Sequence, residues 1–205
     1  MSHRVLVFGG TFDPIHLGHV AIAQELAESV EADQILIVPT AGNPLKGGPV
    51  ASPADRLAMI QAATAELSGV EVSRVELDQP PPGYTFDTIR RLKQDQPDAE
   101  FVIAMGADSL RDLPRWYEAK ALLEMSEFAI ACRPPWTLAD LQREAKGLPG
   151  LPEHLREKLA HAGVATGLHD LASSTIRARL TRGDSVTDML HPAVLAIIQE
   201  RSLYS

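Results

Sequence analysis

Gly9-Gly10-Thr11-Phe12-Asp13-Pro14-Ile15-His16-Leu17-Gly18-His19 follows the apolar run Val5 to Phe8 and precedes Ile22, Ala23, Leu26, Ala27 and Val30, which recur at helical spacing. A short β-rich run, a glycine pair and an amphipathic helix over about Gly18 to Ser29 read as a strand, a tight turn and the first crossover of a parallel sheet. The glycines let backbone approach a ligand closely, and the helix that follows offers unpaired N–H groups and the positive end of its dipole, a ready site for phosphate. His16 and His19 stand three residues apart, so both rings can lie on one side of the first helical turn. There they would donate hydrogen bonds to oxygens that gain charge as a phosphorus is attacked. Neither G-x-G-x-x-G nor G-x-x-x-x-G-K-[ST] is present in this turn, which excludes the usual dinucleotide fingerprint and the P-loop. Two histidines also suit zinc, but no cysteine or third spaced ligand stands nearby, and no metal ligands are assigned.

Outward from this loop, further β-rich runs lie at Ile35 to Val38, Val70 to Val75, Phe101 to Met105, Phe128 to Cys132 and Val164 to Leu168, separated by helical patterns. The alternation predicts an α/β fold, a doubly wound and mostly parallel sheet. Ser52-Pro53-Ala54-Asp55 reads as a helix start with Ser52 as N-cap and Pro53 at the first helical position. Gln79 to Gly83 is a proline loop, and a helix from Phe86 to about Gln96 follows it. The polar stretches Thr137 to Lys146 and Glu153 to Ala162 read as helices of a surface excursion over about 137–163. Ser173 or Ser174 is expected to cap a helix through Arg182, and His191-Pro192 to open the last one, so that about 173–205 forms a small C-terminal helical part of a single domain, 1–205.

The 205 residues, 45% of them hydrophobic, suffice for one sizeable core. A formal net charge of -8 disfavours nucleic acid and anionic membranes as partners, so bound phosphates must be gripped locally. One cysteine, Cys132, and no run near twenty apolar residues predict a cytoplasmic protein with neither export nor membrane insertion. The assembly state is left open, a homo-oligomer included.

Later stretches supply candidate chemistry with more than one reading each. Trp116 and Tyr117 follow Pro114 and serve either as a stacking platform for an aromatic ring or as a core anchor. Asp108, just past the strand Phe101 to Met105, stands at the carboxyl edge where open sheets bind ligands, and equally caps the next helix. Lys46 and Arg177 are the candidate cationic grips on a triphosphate.

T-F-D-P-I-H-L-G-H resembles the nucleotidyltransferase signature containing H-x-G-H. Pro39 to Lys46, Tyr84-Thr85-Phe86-Asp87-Thr88, Gly106-Ala107-Asp108-Ser109, Leu113-Pro114-Arg115-Trp116-Tyr117, Cys132-Arg133-Pro134 and Ser174 to Arg177 stand in the order seen in the bacterial nicotinate-nucleotide adenylyltransferase family. The resemblance spans the chain except for about Thr137 to Gly163. It implies a Rossmann-like fold and adenylyl transfer from ATP, with Mg²⁺, to nicotinate mononucleotide, giving nicotinate adenine dinucleotide and pyrophosphate. It places ATP on Gly9, Gly10, Thr11, Phe12, His16, His19, Gly106, Asp108, Ser174 and Arg177. The acceptor falls on Asp13, Thr85, Trp116, Tyr117 and Arg133, and His16, His19, Lys46 and Arg177 are the catalytic set. Alternatives are a related transferase using nicotinamide mononucleotide or phosphopantetheine, and a non-catalytic nucleotide-binding regulator. This chain departs from the family pattern at Leu45, where relatives carry histidine, and at Ala172 and Ser174, where they carry serine and threonine.

Overall fold

The computed structural model describes residues 3–40, 50–79, 83–169 and 171–205. All six expected strands are present: β1 (Arg4–Gly10), β2 (Gln34–Pro39), β3 (Val70–Val72), β4 (Glu100–Gly106), β5 (Glu127–Cys132) and β6 (Gly163–Ala165). They form one sheet in the order β3-β2-β1-β4-β5-β6, parallel throughout. In β1 the residues Val5, Leu6 and Val7 are buried, and β2, β4 and β5 are buried almost end to end, as expected of strands covered on both faces. Val5 lies opposite Phe101 and Phe8 opposite Ala104, a register that brings the carboxyl ends of β1 and β4 to the same level. The strand order reverses between these two, and such a switch point is where doubly wound sheets bind ligands.

The helices are α1 (Leu17–Ser29), α2 (Pro53–Thr64), α3 (Thr85–Asp95), α4 (Ala119–Met125), α5 (Leu138–Lys146), α6 (Glu153–Ala160), α7 (Ser173–Thr181) and α8 (Pro192–Glu200), with a 3₁₀ helix over Ala107–Arg115. The chain divides into two compact units, one of residues 1–9, 22–36 and 84–168, the other of residues 10–21, 37–83 and 169–205. The boundary falls within β1, α1 and β2.

In the first unit, the stretch expected as a surface excursion is a packed crossover from β5 to β6. Leu141, Ala145 and Leu148 are buried, as are Leu151, Leu155 and Leu159. Their spacing gives each helix one apolar face beneath a polar one, and the polar face dominated the composition. Thr137 and Asp140 close a reciprocal capping box at the start of α5. Arg111 holds Glu144 through two bonds of 2.8 and 2.9 Å. A Cβ at Gly163 would come within 2.5 Å of Leu141 Cδ2 and 2.9 Å of Leu138 Cδ2, so those two side chains would have to shift to admit one.

In the second unit, α2 begins as its sequence indicates: Ser52 Oγ accepts the Asp55 N–H at 3.1 Å and donates to the Asp55 carboxylate at 2.6 Å, with Pro53 in the first turn. Arg201 adds a 2.7 Å bond to Asp55. The serine bond and then the arginine hold this carboxyl below its ordinary value of 3.8. The stabilisation from Asp55 is therefore present at neutral pH and is lost as pH falls below that ordinary value and through the lowered one. At α7 the expectation fails. The N-cap is Ala172, with no side-chain cap, because Ser173 Oγ instead donates to the Pro14 carbonyl at 2.9 Å.

Removing the α2 cap with Ser52→Ala is expected to lower stability by about 1 kcal/mol. Urea denaturation measures this; a midpoint equal to that of the unaltered protein would contradict the assignment.

Candidate active site

From Gly10 onward the signature loop lies in the second unit, and its shape follows from close packing around one carboxylate. Asp13 is 3% exposed. Its Oδ2 accepts the Val50 N–H at 2.8 Å, and its Oδ1 accepts the Ala51 N–H at 3.0 Å and the Tyr204 hydroxyl at 2.7 Å. Arg177 Nη1 lies 3.6 Å from Oδ2 and donates to the Asp13 carbonyl at 2.7 Å. Just before it, Phe12 takes left-handed backbone, φ 49°, which turns its ring back over Gly10. A Cβ on Gly10 would meet that ring at 2.7 Å, which explains the glycine. Buried in turn, the Phe12 ring meets His19 edge-on at 5.1 Å.

His16 and His19 then open α1 as a reciprocal cap. His19 N–H donates to His16 Nδ1 and His16 N–H donates to His19 Nδ1, each at 3.2 Å, and the rings stack with centroids 3.6 Å apart. This is the capping-box pattern carried by two imidazoles in place of a hydroxyl and a carboxamide. Because both Nδ1 atoms accept, the proton of each neutral ring sits on Nε2, so each histidine is an Nε2–H donor. Gly18 makes room for the stack: a Cβ there would come within 3.2 Å of His16 Nδ1.

Arg56 was not foreseen from the sequence. It is fully buried on α2, and its Nη1 donates to the carbonyls of Thr11 and Thr40 at 2.7 and 2.9 Å. Burial lowers its pKa from the ordinary arginine value, and the charge of Asp13 opposes that shift. It precedes Met59 and Ile60 by three and four residues, on the buried side of the helix, and that was the available signal. Tyr204 was missed as well, since a bond between residues 13 and 204 leaves no local pattern. Ser174 is exposed on the first turn of α7, and Arg177 is partly buried on the same helix.

In the first unit, Thr85 is the first residue of α3, after Tyr84 at an N-cap that no side chain closes. Among the described residues no side chain caps the first-turn N–H groups there, the groups an anion would meet. Tyr84 and Tyr117 stack at 4.5 Å, with Phe86 edge-on to Tyr117 at 6.0 Å. Trp116 ends the 3₁₀ helix, half-buried, and lines a cleft with Pro114, Lys120 and residues 149–151. Asp108 is exposed on the first turn of the 3₁₀ helix and folds back against Gly106, where any Cβ would collide with its Oδ1. Arg133 stands one residue past β5. Gly9 is exposed near the end of β1. Lys46 and Leu45 lie outside the described residues. Among the described residues no three His, Cys, Asp or Glu side chains converge on a metal-sized site, and no helix is long and apolar enough to cross a membrane.

Residues 7–179 match the cytidylyltransferase-like family model. The chain is 39% identical over 204 residues to a probable nicotinate-nucleotide adenylyltransferase of Roseiflexus castenholzii, covering 99% of this chain and 98% of that one. A relative of the same name from Shewanella baltica is 32% identical over 98% of this chain and 99% of its own. So complete an overlap gives the 137–163 segment a counterpart in these relatives, contrary to the expectation that it falls outside the resemblance. Among solved structures, Plasmodium falciparum nicotinic acid mononucleotide adenylyltransferase complexed with NaAD superposes with a TM-score of 0.75, at 20% identity and 98% and 97% coverage of the two chains. The same enzyme complexed with APC gives 0.74 at 19% identity, with the same coverage.

Gly10→Ala is expected to displace the Phe12 ring and, with it, the histidine pair. Far-UV circular dichroism should be retained while nucleotide turnover falls by about tenfold or more; turnover equal to that of the unaltered protein would contradict the packing argument.

Proposed function

Since the chain belongs to the cytidylyltransferase-like family and, within it, to the nicotinate-nucleotide adenylyltransferases, we propose that the loop from Gly9 to His19 binds the phosphates of ATP while the chain transfers AMP to nicotinate mononucleotide. The observation that carries this is the histidine cap, two stacked imidazoles on the N-terminus of α1 whose Nδ1 atoms are engaged and whose Nε2–H groups are donors.

The acceptor's own phosphate oxygen attacks the α-phosphorus in line. A P–O bond to the acceptor forms, the bond between the α-phosphorus and the bridging oxygen breaks, and pyrophosphate leaves with the electron pair. No covalent enzyme intermediate is needed, so the protein's work is positioning and charge stabilisation. His16 and His19 donate to phosphate oxygens as negative charge grows on them. Arg177 holds one nitrogen on the Asp13 carbonyl, which aims the rest of a rigid guanidinium at the departing pyrophosphate. Lys46 is assigned to the same leaving group. Thr11, Phe12 and Ser174 border the ATP with Gly9, Gly10, Gly106 and Asp108, the last two beside the ribose. Mg²⁺ would ride on the triphosphate as MgATP and neutralise charge there.

For the acceptor, the uncapped start of α3 at Thr85 supports reception of the nicotinate carboxylate by backbone N–H groups, helped by an amide near Tyr117. Trp116 is the platform for the pyridine ring, and Arg133 is assigned to the acceptor phosphate. Asp13, with its carboxylate fully engaged inside the loop, serves the substrate through the loop's shape. A cytoplasmic location is proposed from the single, unpaired Cys132.

The test is pyrophosphate release with ATP and Mg²⁺ against nicotinate mononucleotide, nicotinamide mononucleotide and phosphopantetheine. Release is expected to be fastest with the first; release with none, or only with phosphopantetheine, would sink the reading. His19→Ala is expected to lower kcat about a hundredfold or more with the fold kept. A near-normal kcat would remove the role given to that imidazole.

A further inference from the structure

The penultimate residue of the chain reaches into the signature loop. After α8, Leu203 N–H bonds the Ile198 carbonyl at 2.9 Å, and Thr181 Oγ1 shares its proton between the Arg177 carbonyl at 3.0 Å and the Tyr204 carbonyl at 3.1 Å. Ser202 and Tyr204 both take left-handed backbone, with φ of 51° and 64°. Such a conformation is unfavourable for a bulky L-residue and persists only where its surroundings over-determine it. What the turn achieves is visible at its end. It buries the tyrosine to 7% exposure and places its hydroxyl 2.7 Å from Asp13 Oδ1.

We propose that Tyr204 is a positioning residue for adenylyl transfer: by donating to the Asp13 carboxylate it holds the signature loop and keeps Arg177 available to the phosphates. The inference rests on the role given to Arg177 above. Asp13 Oδ1 has two donors, the Ala51 N–H and the Tyr204 hydroxyl. Without the hydroxyl, a buried carboxylate oxygen is left short of a partner, which is costly in an interior. The charged group nearest to hand is Arg177, with Nη1 3.6 Å from Oδ2. Arg56, fully buried, is anchored through Nη1 on the Thr11 and Thr40 carbonyls and makes no ion pair with Asp13, although its Nε and Nη2 have no partner among the described residues. The vacancy is therefore filled by drawing Arg177 onto Asp13, and a guanidinium drawn there is lost to the pyrophosphate. Burial, together with the adjacent carboxylate, raises the phenol's pKa well above its ordinary value, so the hydroxyl keeps its proton and remains the donor.

The experiment is Tyr204→Phe in the full chain, which keeps the ring and removes one oxygen. Because charge on the leaving group grows in the transition state, kcat is expected to fall about tenfold while the KM for nicotinate mononucleotide changes by less than about twofold. Thr181→Val, at an exposed position at the end of α7, removes the hydroxyl shared by the Arg177 and Tyr204 carbonyls, loosens the same tail and is expected to give the same split at smaller size. It takes over should Tyr204→Phe fail to fold. A second readout needs no turnover: long-range ¹H–¹⁵N spectra of the imidazoles are expected to show His16 and His19 as Nε2–H tautomers in the unaltered protein and to lose that uniform pattern in the variant. A kcat per folded enzyme within about twofold of the unaltered protein overturns the proposal, as does a loss of activity that only follows loss of folded protein. If the unaltered protein turns over no acceptor, the functional reading fails. The imidazole spectra then still decide whether Tyr204 holds the loop, and unchanged spectra overturn that as well.

Discussion

A carboxylate buried to 3% exposure has to be supplied with donors, and the way Asp13 obtains them sets the shape of the loop around it. Val50 and Ala51 give backbone N–H groups, Tyr204 gives a hydroxyl from the far end of the chain, and Arg177 stands by with its charge. These donors come from three separate stretches of sequence, so the loop cannot reach this form until the start of α2, α7 and the C-terminal tail are in place. With Asp13 held, Phe12 is forced into left-handed backbone and its ring onto Gly10. The ring then forms one wall of the histidine pair. Glycine at 10 and at 18 is thus explained by side chains that need the space rather than by turn geometry alone.

The same two imidazoles serve structure and chemistry through different atoms. Nδ1 of each closes the helix cap, a task usually given to serine, threonine or aspartate. Nε2–H of each is then the ring's donor. Had the cap been a hydroxyl, the rings would be free to turn and to exchange tautomers. Tying Nδ1 to backbone fixes orientation and proton position together, and this preorganisation is what lets a hydrogen-bond donor stabilise developing charge without reorganising first.

Much of the architecture was legible because it is written in local periodicity. The four longer strands are short apolar runs, and the Ser52-Pro53 start of α2 is readable from residue types alone, whereas β3, Val-Glu-Val, and β6, Gly-Val-Ala, are three residues each and shorter than the runs that announce them. α4, only seven residues long and preceded by Glu118 in left-handed backbone, has no readable signature, because so short a segment gives hydrophobic spacing little to work on. The α5 and α6 stretch reads as a surface excursion because most residues there are polar, although Leu141, Ala145 and Leu148 mark a buried face. In the site, the histidines were visible through their spacing. Their mutual capping was not, since imidazole is an uncommon cap. Arg56 and Tyr204 were passed over because an arginine in a helix and a tyrosine near a terminus are ordinarily surface residues, and only long-range bonds to residues 11, 40 and 13 show otherwise.

A chain with a formal net charge of -8 that handles two polyanions needs a local reversal of sign. Around Asp13, Arg177 lies 3.6 Å from the carboxylate and Arg56 feels its charge, and the N-terminal end of α1 adds its partial positive charge. Arg56 is the more telling of the pair, because a fully buried guanidinium with Nε and Nη2 unpartnered is expensive to keep charged. Burial does lower its pKa, and the nearby Asp13 charge partly restores it. Asp13 therefore does more than shape the loop: it is the counter-charge that lets a second cation sit beneath it. Carboxylate and guanidinium make each other tolerable in the interior, and Arg177 remains as the surplus positive group on the partly exposed side. Confined to one loop in a low-dielectric setting, that surplus acts strongly at short range and little at long range. An anion is gripped on arrival, and the acidic surface elsewhere gives other polyanions no reason to bind.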